Sequence, residues 1–385
     1  MSERELLMIP GPTNIDPKVL RALSKPPLSH TSPEFVKIFK ETLDNLKRVF
    51  MTENDVFVIA GSGTLALEMA IANTIEPGDK VLNLVSGYFG EYFVKIAKAY
   101  GATPKVLEVP WGKAVKPEMV RDALKNDAYK AVTVTHVETS TGVANPIKEI
   151  GEIVKKNSDA FYIVDTVCSL GGMEVRVDEW NIDICASGSQ KCIGVPPGLA
   201  LISASNKVLN YIEKRKTPTS FWYGNFLNWL PVMRDPSQYF ATPPVNMIYA
   251  LSEALKMVLN EGLNERFKRH HVLAEAFRAA MDALNMKLVA DREHAADTVT
   301  AVYYPENIDD GKFRSEMKKR GIVVASTLGP LKGKGFRVGH MGNVSQNDIT
   351  STIAAIETVL KSLGYDFNLG AGLAAAEDKI LSLKQ

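Results

Sequence analysis

Three short segments hold residue types that could do chemistry together. The first is Ser187-Gly188-Ser189-Gln190-Lys191, followed by Gly194-Val195-Pro196-Pro197-Gly198. A lysine among small neutral residues is unusual, because lysine is ordinarily solvated at the surface. Held there beside a cofactor, its amine shifts toward the neutral, nucleophilic form that Schiff-base chemistry requires. The second is Asp165, at the end of the apolar run Phe161–Val164 and ahead of Thr166-Val167-Cys168-Ser169. A buried carboxylate needs a partner. No further ligands are spaced for a metal, and a protonated ring nitrogen is the better match; taken alone, Asp165 is equally an N-cap for the next turn. The third is Gly61-Ser62-Gly63-Thr64. Glycines before a helix let backbone N–H groups approach one phosphate at the positive end of the helix dipole. The segment lacks both the Gly-Lys-Ser/Thr of a Walker A loop and the spacing of a dinucleotide site. By itself it also reads as a plain tight turn.

The elements around these segments give the combination its meaning. From Val56 to Ser205, β-branched runs alternate with helical stretches, the pattern of a parallel sheet with crossover helices. Seven strands are expected: Val56–Ala60, Lys80–Val85, Lys105–Val109, Ala131–His136, Phe161–Asp165, Asp183–Ala186 and Leu199–Ser203. Helices are expected over Thr64–Ile75, ended by Pro77-Gly78-Asp79, and over Pro146–Lys156 with Pro146 in its first turn. The glycine loop, Asp165 and Lys191 then each follow the carboxyl end of a strand, where open α/β sheets bind ligands. Thr217 to Pro244 has no sustained period and is rich in aromatics, as in Phe221-Trp222-Tyr223-Gly224-Asn225-Phe226, which predicts a functional or interfacial loop. A helical stretch from Val245 to Leu284, broken near Gly262, follows. Strands Thr298–Tyr304, Ile322–Ser326 and Phe336–Gly339 then alternate with helices Asp310–Arg320 and Gln346–Leu363, and a helical tail runs from Tyr365.

In this order the chain resembles the class V aminotransferases, pyridoxal-phosphate (PLP) enzymes of fold-type I, in particular the alanine–glyoxylate and serine–pyruvate group. Ser187 to Gly198 is similar to that family's lysine segment, and Gly61 to Glu68 to its phosphate loop. Thr135 to Gly142 resembles the ring-binding loop, and Val164 to Gly172 the aspartate segment. Pro10-Gly11-Pro12-Thr13-Asn14 and Ser29 to Glu34 match its early landmarks, and Phe336-Arg337-Val338-Gly339 its substrate-arginine segment. The resemblance implies an α/β fold: a large unit with a mostly parallel seven-stranded sheet and a smaller α+β C-terminal unit. The expected division is an N-terminal arm over 1–20, a large unit over 21–260 and a small one over 261–385.

The resemblance also implies roles. Lys191 carries the cofactor as a Schiff base and then moves the proton at the substrate Cα. Asp165 keeps the ring nitrogen protonated, so that the ring is an electron sink. Gly63, Thr64 and Gln190 hold the phosphate, and Thr139 or Ser140 bonds the ring hydroxyl. Phe89 stacks on the ring. Tyr239 and Thr242 reach the phosphate of a second subunit, which predicts a homodimer with shared sites. Arg337 grips the substrate carboxylate through two parallel hydrogen bonds. Two departures stand out: animal relatives often have histidine in place of Thr64 and commonly tryptophan in place of Phe89. No second arginine lies in a recognised motif. The expected donors are therefore small, alanine or serine, with glyoxylate or pyruvate as acceptor. Phosphoserine, aminoethylphosphonate and aspartate aminotransferases are the nearest alternatives, and another class V PLP lyase is a more distant one. A cysteine desulfurase would need a thiol on a late loop, and Thr327–Gly335 has none. A non-catalytic binding protein fits poorly with an intact Lys191, Asp165 and Arg337.

Composition narrows the remaining classes. Lysine plus arginine (45) nearly balances aspartate plus glutamate (44), for a net charge of +1, which argues against nucleic acid as a partner. Cys168, Cys185 and Cys192 form no CxxC pair, which points to a reducing compartment with buried thiols and no metal site. Neither a signal peptide at Met1–Ile9, nor a bilayer-length apolar run, nor a Ser-Lys-Leu ending is read, so a cytoplasmic protein is expected.

Overall fold

The computed structural model describes residues 5 to 384. Its centre is a seven-stranded sheet in the order Asp55–Ala60, Leu199–Ala204, Ile184–Gly188, Phe161–Asp165, Ala131–Thr135, Lys80–Val85 and Thr103–Glu108. The five strands from Ile184–Gly188 to Thr103–Glu108 are parallel. Leu199–Ala204 runs antiparallel to both of its neighbours. The sheet is thus mostly parallel, as expected, with one reversed strand. Only a loop separates Gly188 from Leu199, and a parallel strand would need a crossover helix there. The inner strands are buried along their whole length, as in sheets covered by helices on both faces.

Helices close both faces. Ser32 caps the Pro33–Phe50 helix, which begins on a proline and ends at Met51 in the left-handed region. Pro146 stands at the N-cap of Ile147–Asn157 and not inside its first turn. The Thr217–Pro244 segment is not wholly loop: Asn225 caps a helix over Phe226–Arg234. Pro231 inside that helix removes one backbone donor and disguises its period. Gly262, at φ +85°, breaks the long helical stretch into Val245–Glu261 and Leu263–Ala283.

A second core forms on Leu263–Ala283, Gln346–Ser362 and the three-stranded antiparallel sheet Val299–Tyr303, Gly335–Gly339, Ala325–Ser326. The strand expected over Ile322–Ser326 is split. Ile322–Val323 pairs with Leu6–Leu7, whereas Ala325–Ser326 pairs with Phe336 and Arg337. The N-terminal segment is thereby stitched to this second core, into which Met8 is buried. The Pro17–Leu23 helix runs through the expected boundary at residue 20 and packs on Val245–Glu261. Among the described residues, no helix is long and apolar enough to cross a membrane.

Candidate active site

A cavity of about 110 Å³ opens at the carboxyl ends of the sheet strands. Its lining includes Gly63, Thr64, Phe89, Thr139, Asp165, Gln190 and Lys191. Seven of the residues singled out in the sequence therefore meet in one place, although 128 positions separate Gly63 from Lys191.

The floor is the start of the Gly63–Thr74 helix. Its N-cap, Ser62, makes no side-chain capping bond, so the first-turn N–H groups stay available to an anion. Gly63 is required for packing: a Cβ there would lie 2.6 Å from Val167 Cγ2. Gln190 borders the same turn, and its buried Oε1 has no hydrogen-bond partner. Rotating that amide presents Nε2 instead, a donor suited to phosphate oxygen.

Asp165 ends its strand fully buried. Its Oδ1 accepts the Val167 N–H at 2.8 Å, and Oδ2 accepts weakly from Thr135 Oγ1 at 3.4 Å. Burial pushes the carboxyl up to about 7, Glu138 adds to the rise, and Lys191 opposes it. A cationic ring nitrogen would relieve the burial cost. Lys191 Nζ donates to the Pro10 carbonyl, and Thr13 Oγ1 donates to the Lys191 carbonyl at 2.9 Å. The N-terminal loop thus lies directly against the lysine. Gly11, at φ +101°, permits this approach, because a Cβ would fall 2.4 Å from Lys191 Cδ.

The remaining residues divide. Thr139 lines the cavity, gives its hydroxyl to Cys168 Sγ at 2.8 Å, and accepts Arg337 Nη1 on its carbonyl at 3.1 Å. Ser140 does not line it: its hydroxyl turns away to Glu138 Oε1 at 2.6 Å. Of the pair Thr139 or Ser140, only Thr139 faces the space. Arg337 stands one residue behind that wall, 8% exposed, with Nε on the Ser326 carbonyl at 2.9 Å. Burial holds its guanidinium below the ordinary value, and no carboxylate pairs with it among the described residues. Tyr239 and Thr242 lie apart from the cavity on the surface, where Tyr239 is 63% exposed and packs on His30. Trp222, 68% exposed, packs on Phe240 nearby.

The sequence reading missed three contributors. Tyr92 joins Phe89 in the wall one helical turn on, and that spacing was the available signal. Cys168, read only as a buried thiol, also lines the cavity, and burial raises its pKa. Glu138 is buried behind the wall with no ion-pair partner among the described residues. The uncapped helix start, the orphan amide of Gln190 and the raised acid Asp165 fit pyridoxal phosphate at its phosphate and ring-nitrogen ends.

Comparisons with known proteins agree. The family model described as aminotransferase class-V matches residues 7–334. An uncharacterized aminotransferase of Methanocaldococcus jannaschii is 47% identical, with 98% of each chain covered. A protein of Synechococcus named soluble hydrogenase, small subunit is 41% identical over 99% of this chain and all of its own. The serine–glyoxylate aminotransferase of Methylorubrum extorquens is 36% identical over 97% of this chain and 95% of its own. The crystal structure of ureidoglycine–glyoxylate aminotransferase from Bacillus subtilis superposes with a TM-score of 0.93 at 36% identity, covering 98% of each chain. With a family model over most of its length and this fold around a partly buried lysine and a buried acid, the chain belongs to the class V aminotransferases, enzymes of pyridoxal phosphate.

Proposed function

We propose that the protein transfers the amino group of a small amino acid, alanine or serine, to glyoxylate or pyruvate. The observation that carries this reading is one cavity shared by Lys191, Asp165 and the uncapped Gly63–Thr74 helix start. The serine–glyoxylate and ureidoglycine–glyoxylate relatives support the acceptor, and the lysine and acid support amine chemistry over the role named for the Synechococcus relative.

In this reading Gly63, Thr64 and Gln190 hold the phosphate, Thr139 the ring hydroxyl, and Phe89 one face of the ring. When bound, pyridoxal phosphate supplies an electron sink that stabilises negative charge at the Cα of the amino acid. Asp165 holds a proton on the ring nitrogen. Lys191 would hold the cofactor through Nζ until the substrate amine takes that place; the amine so freed would take the proton from Cα and deliver it to C4′ of the cofactor. Arg337 orients the substrate carboxylate, and its burial, with no carboxylate in ion-pair contact among the described residues, strengthens that grip. Tyr239 and Thr242 act on the neighbouring site of a homodimer, and the exposed Trp222 and Tyr239 rings form part of its interface. The protein is assigned to the cytoplasm, with an arm over 1–20, a large unit over 21–260 and a small unit over 261–385.

The test adds one amino acid at a time to the holoenzyme and follows the visible band of the lysine-bound cofactor. Alanine and serine should discharge it fastest. Rapid reaction of aspartate or phosphoserine with inert alanine and serine refutes the donor. Lys191→Ala should abolish both the borohydride-sensitive band and turnover, and full turnover in that variant refutes the mechanism.

A further inference from the structure

Glu138 has no task in that chemistry, yet it is a fully buried carboxylate beside the cavity. Four donors converge on it: Phe89 N–H at 3.1 Å, Gly90 N–H at 3.0 Å, Ser140 N–H at 3.1 Å and the Ser140 hydroxyl at 2.6 Å. Two of them open the Gly90–Ala99 helix, so the carboxylate also sits at the positive end of that helix. Burial raises its pKa while these hydrogen bonds oppose the rise. The Ser140 hydroxyl accepts Tyr88 N–H at 3.1 Å as well, so three successive backbone donors, Tyr88 to Gly90, are held from one side. Gly87 makes the approach possible, since a Cβ there would lie 2.6 Å from Ser140 Oγ and 2.7 Å from Glu138 Cγ.

These bonds grip the two walls of the cavity. The segment Gly87–Gly90 carries Phe89, and Thr139, between Glu138 and Ser140, carries the opposite contacts. Thr139 gives its hydroxyl to Cys168 and its carbonyl to Arg337. We infer that Glu138 is a positioning residue whose carboxylate locks the Phe89 wall to the Thr139 wall and, through the Thr139 carbonyl, to Arg337. A carboxylate suits this place because it accepts at both oxygens, whereas glutamine would point an NH₂ group at N–H donors. The inference rests on the pyridoxal-phosphate reading of the cavity.

The experiment compares holoenzymes of wild type, Glu138→Gln and Ser140→Ala. It measures release of pyridoxal phosphate on dilution, visible circular dichroism per bound cofactor, and the KM and kcat of the amino donor. Glu138→Gln should release cofactor roughly tenfold faster, the cost of about one charge-assisted hydrogen bond. Its dichroism should fall and the donor KM should rise more than kcat falls. Ser140→Ala should shift the same quantities in the same direction by less. Wild-type release and dichroism in Glu138→Gln overturn the inference. If Glu138→Gln does not fold, unchanged release and dichroism in Ser140→Ala overturn it equally. Wild type that binds pyridoxal phosphate without a visible band overturns the function proposed above and not this role.

Discussion

Replacing Arg266 by methionine tests how the active loops are held. Arg266 lies near the start of the Leu263–Ala283 helix, 2% exposed, far along the chain from both loops it touches. Its Nε donates to the Gly171 carbonyl at 2.7 Å and its Nη2 to the Cys192 carbonyl at 2.6 Å. Gly171 closes the turn that begins at Asp165, and Cys192 directly follows Lys191. The third arm, Nη1, meets Glu261 at 2.6 Å, which Arg269 also binds. Methionine keeps much of the volume and removes every donor. Two carbonyls then lose a buried partner at about 1–3 kcal/mol each. Release from burying the guanidinium, whose pKa is already held down, offsets part of this, leaving a net loss of about 3 kcal/mol. Unfolding 385 residues at about 2.1 cal/mol/K per residue gives an entropy of about 0.8 kcal/mol/K, so the melting midpoint should fall by about 4 °C. Scanning calorimetry with saturating cofactor measures it, and kcat should fall in the same variant because both loops loosen. Arg266→Lys, which restores charge but only one arm, should fall between. A midpoint within about 1 °C of wild type would refute the pinning argument.

Burial raises Asp165 to about 7, so below that pH its protonated form is the one the native protein prefers without cofactor. The stability it contributes is full below the unfolded carboxyl pKa, about 3.9, and is lost as pH rises through about 7. Cofactor-free wild type should therefore lose midpoint relative to Asp165→Asn across that window, and a constant difference would contradict the raised acid. His136 and His340, held down to about 4 and about 3 by burial, tilt stability the other way in both proteins and cancel in the difference. Arg337→Met should raise the amino-donor KM by at least about tenfold and leave cofactor release within twofold or so; steady-state kinetics separate the two. Trp222→Ser should shift sedimentation toward the single subunit and weaken cofactor binding, because Tyr239 and Thr242 would no longer reach a neighbouring site. Unchanged sedimentation would remove Trp222 from the interface.

What could be read beforehand follows from what is local. The ends of Asp55–Ala60, Phe161–Asp165 and Ile184–Gly188 each announce themselves by a small or acidic residue after an apolar run, so Gly63, Asp165 and Lys191 were legible. The direction of Leu199–Ala204 was not, since a fully buried strand reads alike both ways; only the missing crossover helix before it carried the information. The Phe226–Arg234 helix was hidden by Pro231. Glu138 was illegible for a different reason. Two of its four donors come from Phe89 and Gly90, 49 and 48 residues earlier, and no pattern around Glu138 encodes their arrival. Ser140 was misplaced with it, because two adjacent hydroxyls differ only in which way each points.

The reversed strand does more than interrupt the parallel order. Leu199 pairs with Ala60 on one side, and Ala200 pairs with Gly188 on the other. That register sets the exit of Asp55–Ala60 and the exit of Ile184–Gly188 at one level, with the return of the lysine loop between them. The Gly61 N–H donates to the Gly198 carbonyl at 2.9 Å, which ties the phosphate turn to that loop. Two strands further on, Asp165 pairs with Ala186 and with Thr135. Anion turn, lysine loop and acid thus stand in one row because strand register puts them there. A slip of one residue in Leu199–Ala204 would exchange its buried faces and separate the turn from Lys191. The side chains that do chemistry are therefore positioned first by backbone pairing, and Arg266 and Glu138 refine loops that the sheet has already brought together.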